Sequence, residues 1–231
     1  MNLNYIIDTF ILTLKGVPVS ISIMLVSLIL AFLPSLFLAY AQINKTFGVN
    51  AFATIYLAII RATPLIVLIL FFYSLIPSLL NQFFKSIGST INIFEVNPII
   101  YAYIIFTLIS IGTMTEILRA GILTVNKGQI EAGESIGLTS NQINRRIVLP
   151  QALRNAIPNL GNLAINLVKG TSLVFVMTVQ DITAIAKTEA AYGYNYIESY
   201  LVIFVQYIII CGLIQKLFDY LEERINRKYS N

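Results

Sequence analysis

Long apolar runs broken by short polar ones dominate the chain. Gly16 to Asn44 holds no charged residue and contains a first span, about Val17 to Ala41. That run exceeds the ~20 residues a helix needs to cross a bilayer. The Ala39-Tyr40-Ala41 triplet has the form of a signal-peptidase site. The apolar stretch before it outruns the ~7–15 residues of a signal-peptide core, so the helix is read as retained. Pro34 is expected to kink it. A second span runs from about Phe52 to Ile76, with Arg61-Ala62-Thr63-Pro64 near one end. Pro77 to Asn97 reads as a loop lying partly on the membrane surface. The third span covers about Pro98 to Thr115. The fourth, about Leu160 to Val179, is less oily, with Asn162, Asn166 and Lys169 inside it. Asp181 to Glu198 reads as a loop and Tyr200 to Phe218 as the fifth span. Ahead of these, Ile6, Ile7, Phe10, Ile11 and Leu14 fall on one helical face. That pattern fits either an interfacial helix or an extension of the first span.

The longest polar segment, Glu116 to Pro158, separates the third and fourth spans. Asn126 is placed to cap a helix, and Gly137 to end it in a left-handed turn. Thr139 with Gln142 forms a capping-box pattern for a second helix, which Pro150 ends or bends. A helix–Gly–helix hairpin is predicted. The fold class is therefore all-α: a polytopic membrane helix bundle of about five transmembrane helices with a cytoplasmic hairpin. Residues 1–15 form an N-terminal interfacial helix. Residues 16–221 form the transmembrane domain, with the hairpin at about 120–158, and residues 222–231 form a tail.

Composition supports this and removes other classes. Apolar residues make up 57% of the 231 and charged residues 11%, against roughly a quarter charged in soluble domains. Continuous rather than alternating apolar runs disfavour a β-barrel. The net charge of +4 fits basic loops better than a nucleic-acid surface. With five spans, Lys45, Arg119, Lys127, Arg145, Arg146, Arg154, Lys216, Arg224, Arg227 and Lys228 collect on one side, and only Lys15, Lys85 and Lys187 on the other. The positive-inside rule places the hairpin and the C-terminus in the cytoplasm. No histidine occurs and Cys211 is the single cysteine. A common transition-metal site, a Ser-His-Asp triad and an intrachain disulfide are thereby disfavoured. No catalytic residue and no cofactor is assigned to this chain. It also lacks a GxxxxGK[ST] phosphate loop, so any ATP hydrolysis that drives it belongs to another polypeptide.

Within the polar segment the order is Glu131-Ala132-Gly133, three residues, Gly137, nine residues, then Ile147-Val148-Leu149-Pro150. This resembles the EAA loop of bacterial binding-protein-dependent ABC importer permeases. Further pieces resemble their polar amino-acid subfamily, which includes the histidine, glutamine, arginine and cystine permeases. They are Arg61-Ala62-Thr63-Pro64-Leu65, Glu116-Ile117-x-Arg119, Lys127-Gly128-Gln129, Arg145 to Ala152, and Lys169-Gly170-Thr171-Ser172-Leu173. The resemblance runs from about Gly16 to the C-terminus. Three positions depart from it: Gly133 stands for the second alanine of the triplet, Ala62 for a usual glycine and Gly170 for a usual acidic residue.

The resemblance implies a permease subunit in the bacterial cytoplasmic membrane that translocates a polar amino acid such as cystine, glutamine, arginine or histidine. Its implied partners are ATPase subunits that bind ATP and Mg²⁺, an extracytoplasmic solute-binding protein, and a second permease copy or paralogue. It also implies that the helix around Lys127 to Ile136 is a coupling helix seated in the ATPase. There Ile130 and Ile136 offer apolar anchors, Glu131 and Glu134 meet basic partners, and Ala132, Gly133 and Gly137 allow close approach. Lys169 either lines the substrate path, with Asn162, Asn166, Thr171 and Ser172, or snorkels. Arg61 is a path candidate or a structural charge at the cytoplasmic edge. Glu116 and Arg119 are spaced to pair along a helix. Tyr192, Tyr194 and Tyr196 fit a receptor contact or an interfacial aromatic belt. A permease for another small solute would share the loop but lack the Arg-x-Thr-Pro and Lys-x-Thr-Ser pieces. A secondary carrier would place carboxylates inside the membrane, and none is identified in the apolar cores.

Overall fold

The computed structural model describes residues 3–89 and 91–229, with side chains through Arg227. The first two residues of the interfacial segment and the last two of the tail lie outside the described residues. All regular elements among those described are helical: α1 (Leu3–Thr13), α2 (Val17–Ile43), α3 (Val49–Ala62), α4 (Leu65–Ser86), α5 (Pro98–Leu123), α6 (Lys127–Ser135), α7 (Ser140–Ile143), α8 (Leu149–Thr171), α9 (Ile182–Gly193) and α10 (Tyr196–Tyr229). Four helical stretches among the described residues are long and apolar enough to cross a membrane: Leu3–Ile43, Leu65–Ser86, Pro98–Leu123 and Tyr196–Arg227. α3 is a shorter apolar helix. α8 is long enough but carries more polar residues, and it packs between α5 and α10.

The centre of the bundle is α2 against α5, with α8 closing the third side and α10 behind it. Ile23 and Ala31 of α2, Phe106, Met114 and Leu118 of α5 and Val168 of α8 are buried there. Small residues let the backbones approach, the usual basis of helix packing in membranes. A Cβ on Gly121 would lie 2.6 Å from the Ala152 carbonyl oxygen, so α5 and α8 meet closely at the root of the hairpin. α1 runs through one 3₁₀ turn, Leu14–Gly16, into α2. It packs on α9 and α10. The Tyr5 and Ser199 hydroxyls lie 2.6 Å apart, and the Gln206 amide donates to the Phe10 carbonyl at 2.8 Å.

Several boundaries differ from the pattern-based expectation. The second span is two helices, because Pro64 holds Thr63 extended (φ −98°, ψ 133°) and halts α3. α4 then continues through Pro77 to Ser86, which shortens the expected Pro77–Asn97 loop. α5 extends past Thr115 to Leu123 and carries Glu116 and Arg119 inside it. The helix that covers the expected fourth span, α8, begins at Leu149 and ends at Thr171. The expected loop after Asp181 is α9. Asp181 caps it by accepting from the Thr183 and Ala184 amides at 3.1 and 2.9 Å, an N-cap that stabilises the helix start.

Candidate functional site

The polar segment forms the hairpin that its caps predict. The Asn126 side chain accepts from the Gly128 amide at 2.8 Å and starts α6. Gly137 ends it at φ +80°, a left-handed conformation open to glycine at little cost. The Leu138 amide returns to the Gly133 carbonyl at 3.0 Å. Thr139 and Gln142 then make a reciprocal capping box. α7 passes through a π-turn, Asn144–Val148, straight into α8. Pro150 sits in the first turn of α8, where its missing N–H costs little. The helix therefore shifts register there and does not end.

The hairpin has an inner and an outer face. Ile130 and Leu138 are half-buried and pack against the core cluster. Gly133 is buried, and a Cβ there would lie 3.1 Å from both Ile143 and Ile147 side chains. Its small size therefore serves the hairpin's own packing and not the approach of another chain, which corrects the sequence expectation for that residue. Gly137 has open space around its Cα, and its role is conformational. Facing outwards are Glu131, Ala132, Glu134 and Ile136, the last 77% exposed. Two acids, a methyl and an isoleucine thus form the free face.

Side-chain hydrogen bonds brace this hairpin to the bundle. Gln151 of α8 donates to Gln129 of α6 at 2.5 Å and to the Ile147 carbonyl at 3.0 Å. Asn155 of α8 donates to Thr124 at 2.6 Å. Arg154 donates to Asn226, near the end of α10, at 2.8 Å. Higher on α5, Arg119 grips Glu116 through two hydrogen bonds, 2.9 and 2.6 Å. Arg61 is exposed at the end of α3. The two charges expected to pair, Glu116 and Arg119, do so.

From this base α8 runs 23 residues, about 35 Å at 1.5 Å per residue. Asn155, Asn159, Asn162, Asn166 and Lys169 are all exposed along it, at steps of four, three, four and three that keep them on one face. A polar stripe of this kind does not face lipid. Lys169 lies about 21 Å along the helix from Asn155, towards the end opposite the hairpin. It lines a cleft of about 630 Å³ with Ser172, Tyr200, Phe204, Tyr207 and Cys211. Thr171 is not on this surface. It is fully buried, and its hydroxyl donates to the Val168 carbonyl at 2.7 Å. Gly170 is buried against Leu65 and Phe106, on the side of α8 that faces the core.

Two features were missed by pattern reading. Asp181 is a fully buried carboxylate among the helices, which also accepts from the Tyr207 hydroxyl at 3.3 Å. It lies at the start of α9, outside the apolar cores of the spans. The signal was an N-cap residue ahead of Ile182-Thr183-Ala184. The Arg154–Asn226 contact joins residues 72 apart and has no local signature. Among the described residues no group of His, Cys, Asp and Glu is arranged to hold a metal.

Residues 35–230 match the family described as the binding-protein-dependent transport system inner membrane component. The chain is 36% identical over 222 residues to the L-cystine transport system permease protein TcyL of Bacillus subtilis, covering 96% of this chain and 90% of that one. It is 30% identical to the nopaline transport system permease protein NocM of Agrobacterium fabrum, with 94% and 89% covered. Among solved structures, the crystal structure of an amino acid ABC transporter with histidines superposes with a TM-score of 0.79 at 26% identity, covering 97% of this chain and 99% of that one. The MetNI methionine ABC transporter, at 22% identity, shares the fold with a TM-score of 0.70, covering 93% and 96%. A hairpin braced to a polar-striped helix, in a chain matched almost end to end, belongs to the permeases of ABC transporters: this chain is a member of the binding-protein-dependent transport system inner membrane component family.

Proposed function

We propose that the chain is the membrane subunit of an ATP-driven importer that carries a polar amino acid across a bacterial cytoplasmic membrane. A separate ATPase pair binds ATP and Mg²⁺. An extracytoplasmic binding protein delivers the cargo, and a second copy or a paralogue completes the path. The hairpin and the C-terminus are cytoplasmic, as the basic residues near them favour. The observation that carries this reading is the continuity of α8. One end is hydrogen-bonded to a hairpin with an exposed acidic and apolar face, and the other end presents Lys169. A displacement of the hairpin is thereby passed towards the cleft along one continuous helix, which holds Pro158 in its interior. The printed cargoes of the relatives, L-cystine and nopaline, agree with an amino-acid class of substrate. The chain itself performs no covalent chemistry.

Reconstitution with the ATPase and binding protein in proteoliposomes tests this. Uptake of labelled amino acid should require ATP on the hairpin side and be indifferent to an uncoupler. Uptake that proceeds without ATP and collapses with the ion gradient would indicate a secondary carrier instead.

A further inference from the structure

We infer that the cleft between α8 and α10 is a carboxylate-accepting station on the substrate path, which admits neutral and acidic amino acids and turns away those with a cationic side chain. This rests on the importer reading and narrows its cargo. The cleft's volume of about 630 Å³ lies within the ~300–1,000 Å³ usual for small-ligand sites. Lys169 is the one charged residue in its wall, beside Ser172, Tyr200 and Tyr207. The ammonium is exposed, and Cys211 on the facing helix lines the same cleft.

The surroundings leave that charge uncompensated. No Asp or Glu lines the cleft. Asp181, the carboxylate that Tyr207 contacts, is fully buried, and its oxygens already accept from two backbone amides and the phenol. Beside Lys169 stands Gly170, which carries no carboxylate and faces the core against Leu65 and Phe106. Asn162 and Asn166 lead along the same face with neutral donors and acceptors. An ammonium in a largely apolar groove at membrane depth is satisfied by an arriving anion and repels a second cation. The carboxylate of a zwitterion supplies the anion. A guanidinium, or an ammonium with no carboxylate of its own, finds no counter-charge.

Cys211, the chain's single cysteine, is a built-in reporter of this field. In the assembled complex in lipid nanodiscs, its thiolate is treated with sulfonatoethyl or trimethylammonioethyl methanethiosulfonate. Each reaction forms a mixed disulfide and releases methanesulfinate. Relative to a free thiol, the anionic reagent should be favoured at least roughly tenfold. The preference should vanish in Lys169→Met, invert in Lys169→Glu and return in Lys169→Arg. L-glutamine or L-cystathionine should slow the labelling, and L-arginine at the same concentration should not. Equal rates for the two reagents, or equal protection by arginine, would overturn the inference. So would an unreactive Cys211, which would mean that a second copy or lipid fills the groove. ATP-driven uptake separates the two levels. Arginine carried as well as glutamine leaves the importer reading standing and sinks the inference, whereas uptake of none of these sinks both.

Discussion

The Arg154 guanidinium donates to Asn226 Oδ1 at 2.8 Å and so ties the first turns of α8 to the last turns of α10. The same two helices form the walls of the Lys169 cleft at their other ends. This contact therefore lies at the hairpin end of both walls. Asn226→Ala should leave insertion and ATPase assembly intact and lower coupling. A hydrogen bond to a charged group contributes about 1.5–3 kcal/mol, so substrate-stimulated ATPase activity should fall roughly tenfold while basal activity stays. Unchanged stimulation would remove the cross-link from the coupling route.

Glu131 and Glu134 are exposed on the free face of α6 and make no side-chain contact that the bundle needs. Glu131→Arg is expected to abolish co-purification of the ATPase while membrane insertion and the melting temperature stay the same. Normal assembly and uptake in that variant would count against docking on this face.

Gly137 holds φ +80°, and any other L-residue there is strained by about 1–2 kcal/mol. Gly137→Ala should loosen the hairpin without touching the bundle, seen as faster amide exchange across residues 127–143 and weaker ATPase binding. Gly121→Val acts at the opposite level. Its Cβ would meet the Ala152 backbone oxygen at 2.6 Å, which cannot yield by rotating a side chain. Loss of folded protein in detergent is expected there, and a normal yield would show that α5 and α8 can separate.

Asp181 separates capping from charge. Asp181→Asn keeps an acceptor for the α9 amides and should be nearly silent in thermal melting. Asp181→Leu leaves two buried amides unpaired, at about 1–3 kcal/mol each, and should lower the melting temperature by several degrees. Equal effects of the two substitutions would show that the ionised carboxylate is what matters.

Local chemistry was legible in the sequence wherever the partners are neighbours. Asn126, Gly137 and the Thr139–Gln142 box announced the hairpin, because caps and left-handed turns are decided within four residues. The apolar runs likewise announced α2, α5 and α10. Periodicity failed where context overrides it. Pro77 sits within α4 although prolines usually end helices, and the polar start of α9 concealed a helix whose cap is buried. Gly133 showed a different limit. Its small size was readable, but whether another chain or the hairpin's own Ile143 and Ile147 needed the space was not. The site residues on α8 divided in the same way: Lys169 and Ser172 line the cleft, Asn162 and Asn166 share its face, and Thr171 turns inward.

The π-turn at Asn144–Val148 has a rotational meaning. A helix advances about 100° per residue at 3.6 residues per turn, and a π-turn holds one residue more than the α-turn it replaces. The heading of the exposed face of α6 around the axis of α8 is thus set by a single residue. A one-residue deletion there would preserve every side chain of Glu131-Ala132-Gly133 and point them roughly a quarter-turn away. The direction in which the hairpin points is indexed by this irregular turn.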